Sequence, residues 1–192
     1  PLVPYLDYAQ SMSLGKILRS HLHELCDTTR LRTVYEADLA DSLHAMVHQG
    51  LGLFGSSDGR VYALRATDGA LVWRFRAAPD ERRLVAYEQV ESVWPVHGSV
   101  LVQDGVLYAL AGRSMFLDGG LRLLRLDPKT GKKLSETVLD DTDPETGKNL
   151  QVHIQQKKMP VALPDVLSSD GKRVYMRSQR FDLDGKRINV AA

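Results

Sequence analysis

The chain has 192 residues, 43% of them hydrophobic and 26% charged, the composition of an ordinary globular protein with enough apolar material for a core in one or two domains. Its 25 basic and 24 acidic residues leave a formal net charge of +1, which provides no basic stripe for nucleic acid and no solvating tail of like charge. No apolar run approaches the roughly eighteen residues of a membrane span, and Cys26, alone, excludes an intramolecular disulfide or a paired-cysteine metal knuckle and is expected to be an inert thiol.

The first residues contain no basic stretch followed by an apolar one, and a chain opening on Pro1 is expected to be a processed form or a fragment. Leu14, Ile17, Leu18, Leu22 and Leu25 recur at three- and four-residue spacing behind Ser13, a residue suited to an N-cap. Residues 13–26 are therefore predicted to be an amphipathic helix, within an N-terminal segment spanning 1–33. His21 and His23 stand two apart and so on different faces of that helix, which favours solvated histidines over a metal pair. Asp27-Thr28-Thr29 ends the helix.

From about Asp38 the apolar period becomes that of strands. Gln49-Gly50 separates the runs at 46–47 and 51–55, Ser57-Asp58-Gly59 turns the chain into 61–64, and Thr67-Asp68-Gly69 turns it into Leu71, Val72, Trp73 and Phe75. Each turn carries a Gly where only a positive φ is comfortable. The pattern returns in 104–139. There Val106, Tyr108 and Leu110 alternate with Leu107, Ala109 and Ala111, and Asp118-Gly119-Gly120 breaks the chain before the run 121–126. A turn at Asp127-Pro128-Lys129-Thr130-Gly131 leads to a strand with Leu134, Val138 and Leu139. It returns again through Ala162, Val166 and Leu167, then Val174, Tyr175 and Met176, then Phe181-Asp182-Leu183-Asp184-Gly185. Gly50, Gly105 and Gly171 close the first hairpin of each unit, and Gly69, Gly131 and Gly185 the last, at intervals of about 55–65 residues. One four-stranded sheet per period is the mark of an all-β, propeller-type protein, with antiparallel blades at about 38–78, 96–140 and 160–189 inside a domain spanning 34–192.

These residues carry a resemblance. Asp58-Gly59-Arg60-Val61-Tyr62-Ala63-Leu64-Arg65-Ala66-Thr67-Asp68-Gly69 through Trp73 resembles the blade motif of quinoprotein-type, PQQ-like β-propellers, whose Trp docks against the next blade. Residues 124–131 repeat the turn half of the motif, with Leu134 about where a Trp belongs. The stretches 90–105, 111–134 and 159–187 are similar, more particularly, to the PQQ-binding-like repeat proteins abundant in planctomycete bacteria. The resemblance covers about 38–189 and implies a blade role for Gly59, Tyr62, Gly69, Trp73, Gly105, Tyr108, Gly131, Gly171, Tyr175 and Gly185. It also implies a periplasmic or extracytoplasmic place. The repeat serves both dehydrogenases and scaffolds. In the dehydrogenases, the resemblance implies, PQQ lies on a Trp floor under a disulfide of adjacent cysteines, beside calcium and an Asp base. Cys26 cannot make that disulfide, and no acidic set at calcium-loop spacing is present.

The remaining polar and aromatic candidates lie between units. Tyr87, Glu91, Trp94 and His97 occupy a connection of the kind that faces a propeller's channel, and Arg113 and Asp118 flank the loop at 112–120. Together they are the expected ligand-binding residues. Trp94 admits two roles, ligand contact or packing with Pro95 shaping the next strand's entry. Arg113 and Asp118 likewise pair with a ligand or with each other. Asp140-Asp141-Thr142-Asp143 with Glu145 has a cation loop's composition without its spacing, and no GxSxG elbow is present.

The expected function is thus a non-catalytic binding or scaffold module with no catalytic residue, no metal ligand and no cofactor. The alternative is a fragment of a PQQ-dependent dehydrogenase using PQQ with calcium. Three blades cannot close a ring of four to eight, so both end sheets are expected to keep an uncovered apolar face. The N-terminal helix would hide part of one. Missing blades, a protein partner or self-association would take the other.

Overall fold

From Met46 onward, short apolar runs broken by Gly and Asp turns leave no length for a helix, and the described residues fold as antiparallel meanders. The computed structural model describes residues 46–86, 89–97, 100–140, 142, 164–177 and 179–188. The helix expected at 13–26 and Tyr87 lie outside the described residues.

Strands β1 (Met46–His48), β2 (Leu51–Gly55), β3 (Arg60–Arg65) and β4 (Leu71–Arg76) form a four-stranded sheet in chain order. A two-stranded sheet follows, β5 (Arg83–Ala86) and β6 (Gln89–Ser92). The second four-stranded sheet joins β7 (Leu101–Gln103), β8 (Val106–Ala111), β9 (Leu121–Leu126) and β10 (Lys133–Leu139). The third joins β11 (Leu167–Ser169), β12 (Val174–Met176), β13 (Gln179–Phe181) and β14 (Arg187–Ile188). The first strands gather, β7 lying beside both β1 and β11, as strands do around a propeller axis. In a meander, alternate turns share an end. The turns holding Gly50 and Gly69 and their counterparts therefore sit at one end of the blades, and the β2–β3 and β8–β9 loops with the inter-blade connections sit at the other.

The middle sheet shows why the blades associate. Leu107, Ala109, Ala111, Leu124 and Leu126 pack with Leu53, Val61, Ala63 and Trp73 of the first sheet. From the opposite face, Tyr108, Leu110, Leu121 and Leu123 pack with Leu167, Val174, Met176 and Phe181 of the third. The alternation in the sequence is therefore apolar on both faces, because both are covered.

Each interface is pinned at the turn end, by different chemistry. At the first, the Trp73 indole N–H donates to the Pro128 carbonyl at 3.0 Å. Gly131, at φ +69°, leaves room for the ring, since a Cβ there would lie 2.6 Å from it. At the second, no Trp is available. Trp73 pairs with Ala63 and Ser135 pairs with Arg125, each four residues past its turn Gly, so Ser135 takes the Trp position and Leu134 is exposed. This corrects the placement of Leu134 there. Arg125, from the opposing strand, fills the gap: its Nη1 donates to the Asp184 carbonyl at 3.3 Å and faces the Asp184 carboxylate at 3.3 Å. The Tyr108 hydroxyl donates to the Leu183 carbonyl at 2.5 Å, and burial raises its pKa against the opposing effect of Arg125.

The first turn of the third sheet, between β11 and β12, supplies a pH prediction. The Asp170 carboxylate accepts hydrogen bonds from the Tyr175 hydroxyl at 2.7 Å and from the Lys172 and Arg173 amides at 2.8 and 2.7 Å, which holds its pKa at about 2. A depressed carboxyl stabilises the fold fully above its ordinary value of 3.8, and that contribution is lost as pH falls toward about 2. Urea midpoints measured across that window should fall with pH, and Asp170→Asn should remove part of the slope. An identical slope in both proteins would refute this role.

Candidate functional site

The connection from the first blade to the second is built as a hairpin with one wet face. Register sets Leu84 opposite Glu91 and Val85 opposite Val90. Leu84 packs toward the core between the first two sheets, whereas Val85 and Val90 point outward, 73% and 45% exposed. Beyond β6 the chain is threaded between two loops. The Ser92 and Val96 amides donate to the Ser57 and Ser56 carbonyls, and the Gly112 amide donates to the Pro95 carbonyl, all at 2.9 Å.

That threading brings the candidates together. The Trp94 indole N–H donates to the Asp118 carbonyl at 2.9 Å, its ring is only 3% exposed, and the Arg82 guanidinium lies 4.5 Å above it. Glu91 is buried, and its Oε2 accepts from Arg113 Nη2 at 2.6 Å with His97 Nε2 at 3.6 Å from the same oxygen. Arg113 Nη2 also donates to the Ser92 carbonyl at 3.4 Å. Arg113 and Asp118 therefore do not pair with each other. Asp118 instead faces Arg82 at 3.9 Å. Arg82, the cation on the indole, escaped the sequence reading because nothing in Asp80-Glu81-Arg82-Arg83 distinguishes one arginine from its neighbour. The Val85–Val90 pair escaped too, its alternation spanning only two short strands.

Glu91, Trp94, His97, Arg113 and Asp118 thus form one cluster at the loop end, with the buried Glu91 carboxylate and an enclosed indole beneath a rim of His97, Arg113 and Asp118. Nearby, Glu81 accepts from Arg60 and Arg76 at 3.1 and 3.3 Å, so the charges lining the shallow depression there offset one another. A quinone on this chain would need a bare indole face and a cation nest. Trp73 is committed to Pro128 and Gly131, and Trp94 to Arg82 and Asp118. Among the described residues, no three His, Cys, Asp or Glu side chains converge as metal ligands. These residues do not fit PQQ and its ion. Among the described residues, no helix is long and apolar enough to cross a membrane.

Several known proteins are similar to parts of this chain. Among solved structures, the quinohemoprotein alcohol dehydrogenase of Pseudomonas putida HK5 is 19% identical at a TM-score of 0.49, over 68% of this chain and 19% of that one. The quinohemoprotein alcohol dehydrogenase of Comamonas testosteroni is 15% identical, also at 0.49, over 75% of this chain and 26% of that one. BamB of Moraxella catarrhalis is 18% identical at 0.26, over 73% of this chain and 54% of that one. The chain thus spans about a fifth to a half of the length of these structures. No curated protein matches it in sequence. The family model described as outer membrane protein assembly factor BamB matches residues 32–182. With that match over more than half its length and its three four-stranded sheets, the chain belongs to this family of PQQ-like propeller proteins.

Proposed function

We propose that the chain is a non-catalytic scaffold, part of a longer propeller, that holds a protein partner at the loop end of its first two blades. The observation that carries this is the opposed pair Val85 and Val90, left 73% and 45% exposed on a two-stranded sheet outside the blades. An apolar cross-strand pair exposed on a short two-stranded sheet suits the docking of an extended segment from another protein. His97, Arg113 and Asp118, grouped around Glu91 and Trp94 on the other face of that hairpin, would supply polar handles for the same partner. The family's description as an assembly factor supports the reading, and with it an extracytoplasmic place. In this proposal residues 1–33 are a separate N-terminal segment, and 38–78, 96–140 and 160–189 are three blades of a ring whose other blades lie elsewhere.

The test is photo-crosslinking in the native cell from position 85, followed by measurement of affinity for the purified adduct partner. Val85→Asp and Val90→Asp should each weaken binding at least about tenfold, as expected for charge placed in an apolar contact, with unchanged melting. Unchanged affinity would refute the surface. Titration with PQQ and calcium should give no heat. Micromolar binding with substrate-dependent dye reduction would replace the scaffold by the dehydrogenase.

A further inference from the structure

The two end sheets differ in a way that assigns a place to the N-terminal segment. On the first sheet, Phe54 pairs with Tyr62 and Gly52 with Leu64, so these four share the face turned away from the second sheet. The Phe54 and Tyr62 rings stack there with centroids 5.5 Å apart. Leu64 is 0% exposed and Phe54 6%, although neither belongs to the clusters that join the sheets. The far face of the third sheet is another matter. Tyr175 pairs with Ser168 and Arg180, Ser168 and Arg180 are exposed, and the Tyr175 hydroxyl is turned to Asp170. The expectation of two bare apolar ends is thus corrected: the third sheet's far face mixes Ser168 and Arg180 with half-buried Tyr175 and Ile188, and the first sheet's is apolar, with Phe54 and Leu64 buried.

We infer that residues 13–26 lie across the outer face of β1–β4, their leucine stripe on Phe54, Tyr62 and Leu64. Three observations favour this segment. Its stripe of Leu14, Ile17, Leu18, Leu22 and Leu25 is apolar on one side only and needs a cover of its own. As a helix it would be about 21 Å long, enough to cross a four-stranded sheet about 14 Å wide. The chain that carries it enters the protein at β1, the first strand of this sheet, whereas the other long segment outside the described residues, 143–163, joins β10 to β11 and runs through Gln155-Gln156-Lys157-Lys158. Charge pairing is not needed: the face offers aromatic and aliphatic groups, which a leucine stripe matches.

Photo-leucine incorporated into the full chain provides the direct test. Cross-links from 14–25 should fall on 51–65 within one molecule. Links to 167–188, or links only between isotopically distinct copies, would overturn the inference. Hydrogen exchange gives the second readout: Leu18→Asp with Leu22→Asp should speed exchange of the β2 and β3 amides about tenfold or more while β12 and β13 keep their protection, because the cover acts locally. Unchanged exchange in β2 and β3, or an equal rise in all three sheets, would count against it.

Discussion

Trp73→Ala is expected to cost about 3–5 kcal/mol of stability, the range for emptying a buried aromatic site. The indole is 9% exposed, bonded to Pro128 and seated over Gly131. Its loss removes the first blade's hold on the turn of the second. Trp73→Phe should recover part of the ring packing, losing the N–H bond, about 1 kcal/mol, together with the contacts of the larger ring. Gly131→Ala should reproduce much of the damage from the other side, since it forces a side chain into left-handed backbone and against the ring at once. Urea unfolding of the three variants gives the check. A Trp73→Ala protein within about 1 kcal/mol of the parent would show that the docking contact is dispensable.

That contact was legible in the sequence through the resemblance, whose blade motif sets a Trp four residues past its turn Gly to dock against the next blade. The middle sheet was legible from its own residues. Its period-two pattern is apolar at both phases, and only a sheet covered on both faces buries Leu107 and Tyr108 alike. The second docking point was not legible. Arg125 replaces the indole from the neighbouring strand, so the substitution crosses the ladder and leaves no trace at the expected position. The site was half legible. Five candidates converge, yet the partners that fix their roles are set by the threading of Trp94-Pro95-Val96 between loops, a long-range event that spacing does not encode. Arg113 shows the consequence: it neutralises buried Glu91, so Arg113→Ala strands a carboxylate and should lower stability as well as any binding.

Trp94→Ala carries the other large effect, again about 3–5 kcal/mol by the buried-aromatic scale. A ligand-stacking indole presents a face to solvent and is removed with little change in melting. Here the ring is 3% exposed, it joins the core between the first two sheets, and its upper face already bears Arg82. Its N–H is spent on the Asp118 carbonyl, which ties the 112–120 loop to the inter-blade connection. Truncation should therefore loosen that loop and the rim above it together, so that loss of partner binding accompanies loss of stability. His97→Ala separates the two effects. The imidazole is 44% exposed at the rim, so its removal should weaken binding at nearly constant melting temperature. If Trp94→Ala melts like the parent while binding collapses, the indole is a recognition surface and the packing role assigned to it fails.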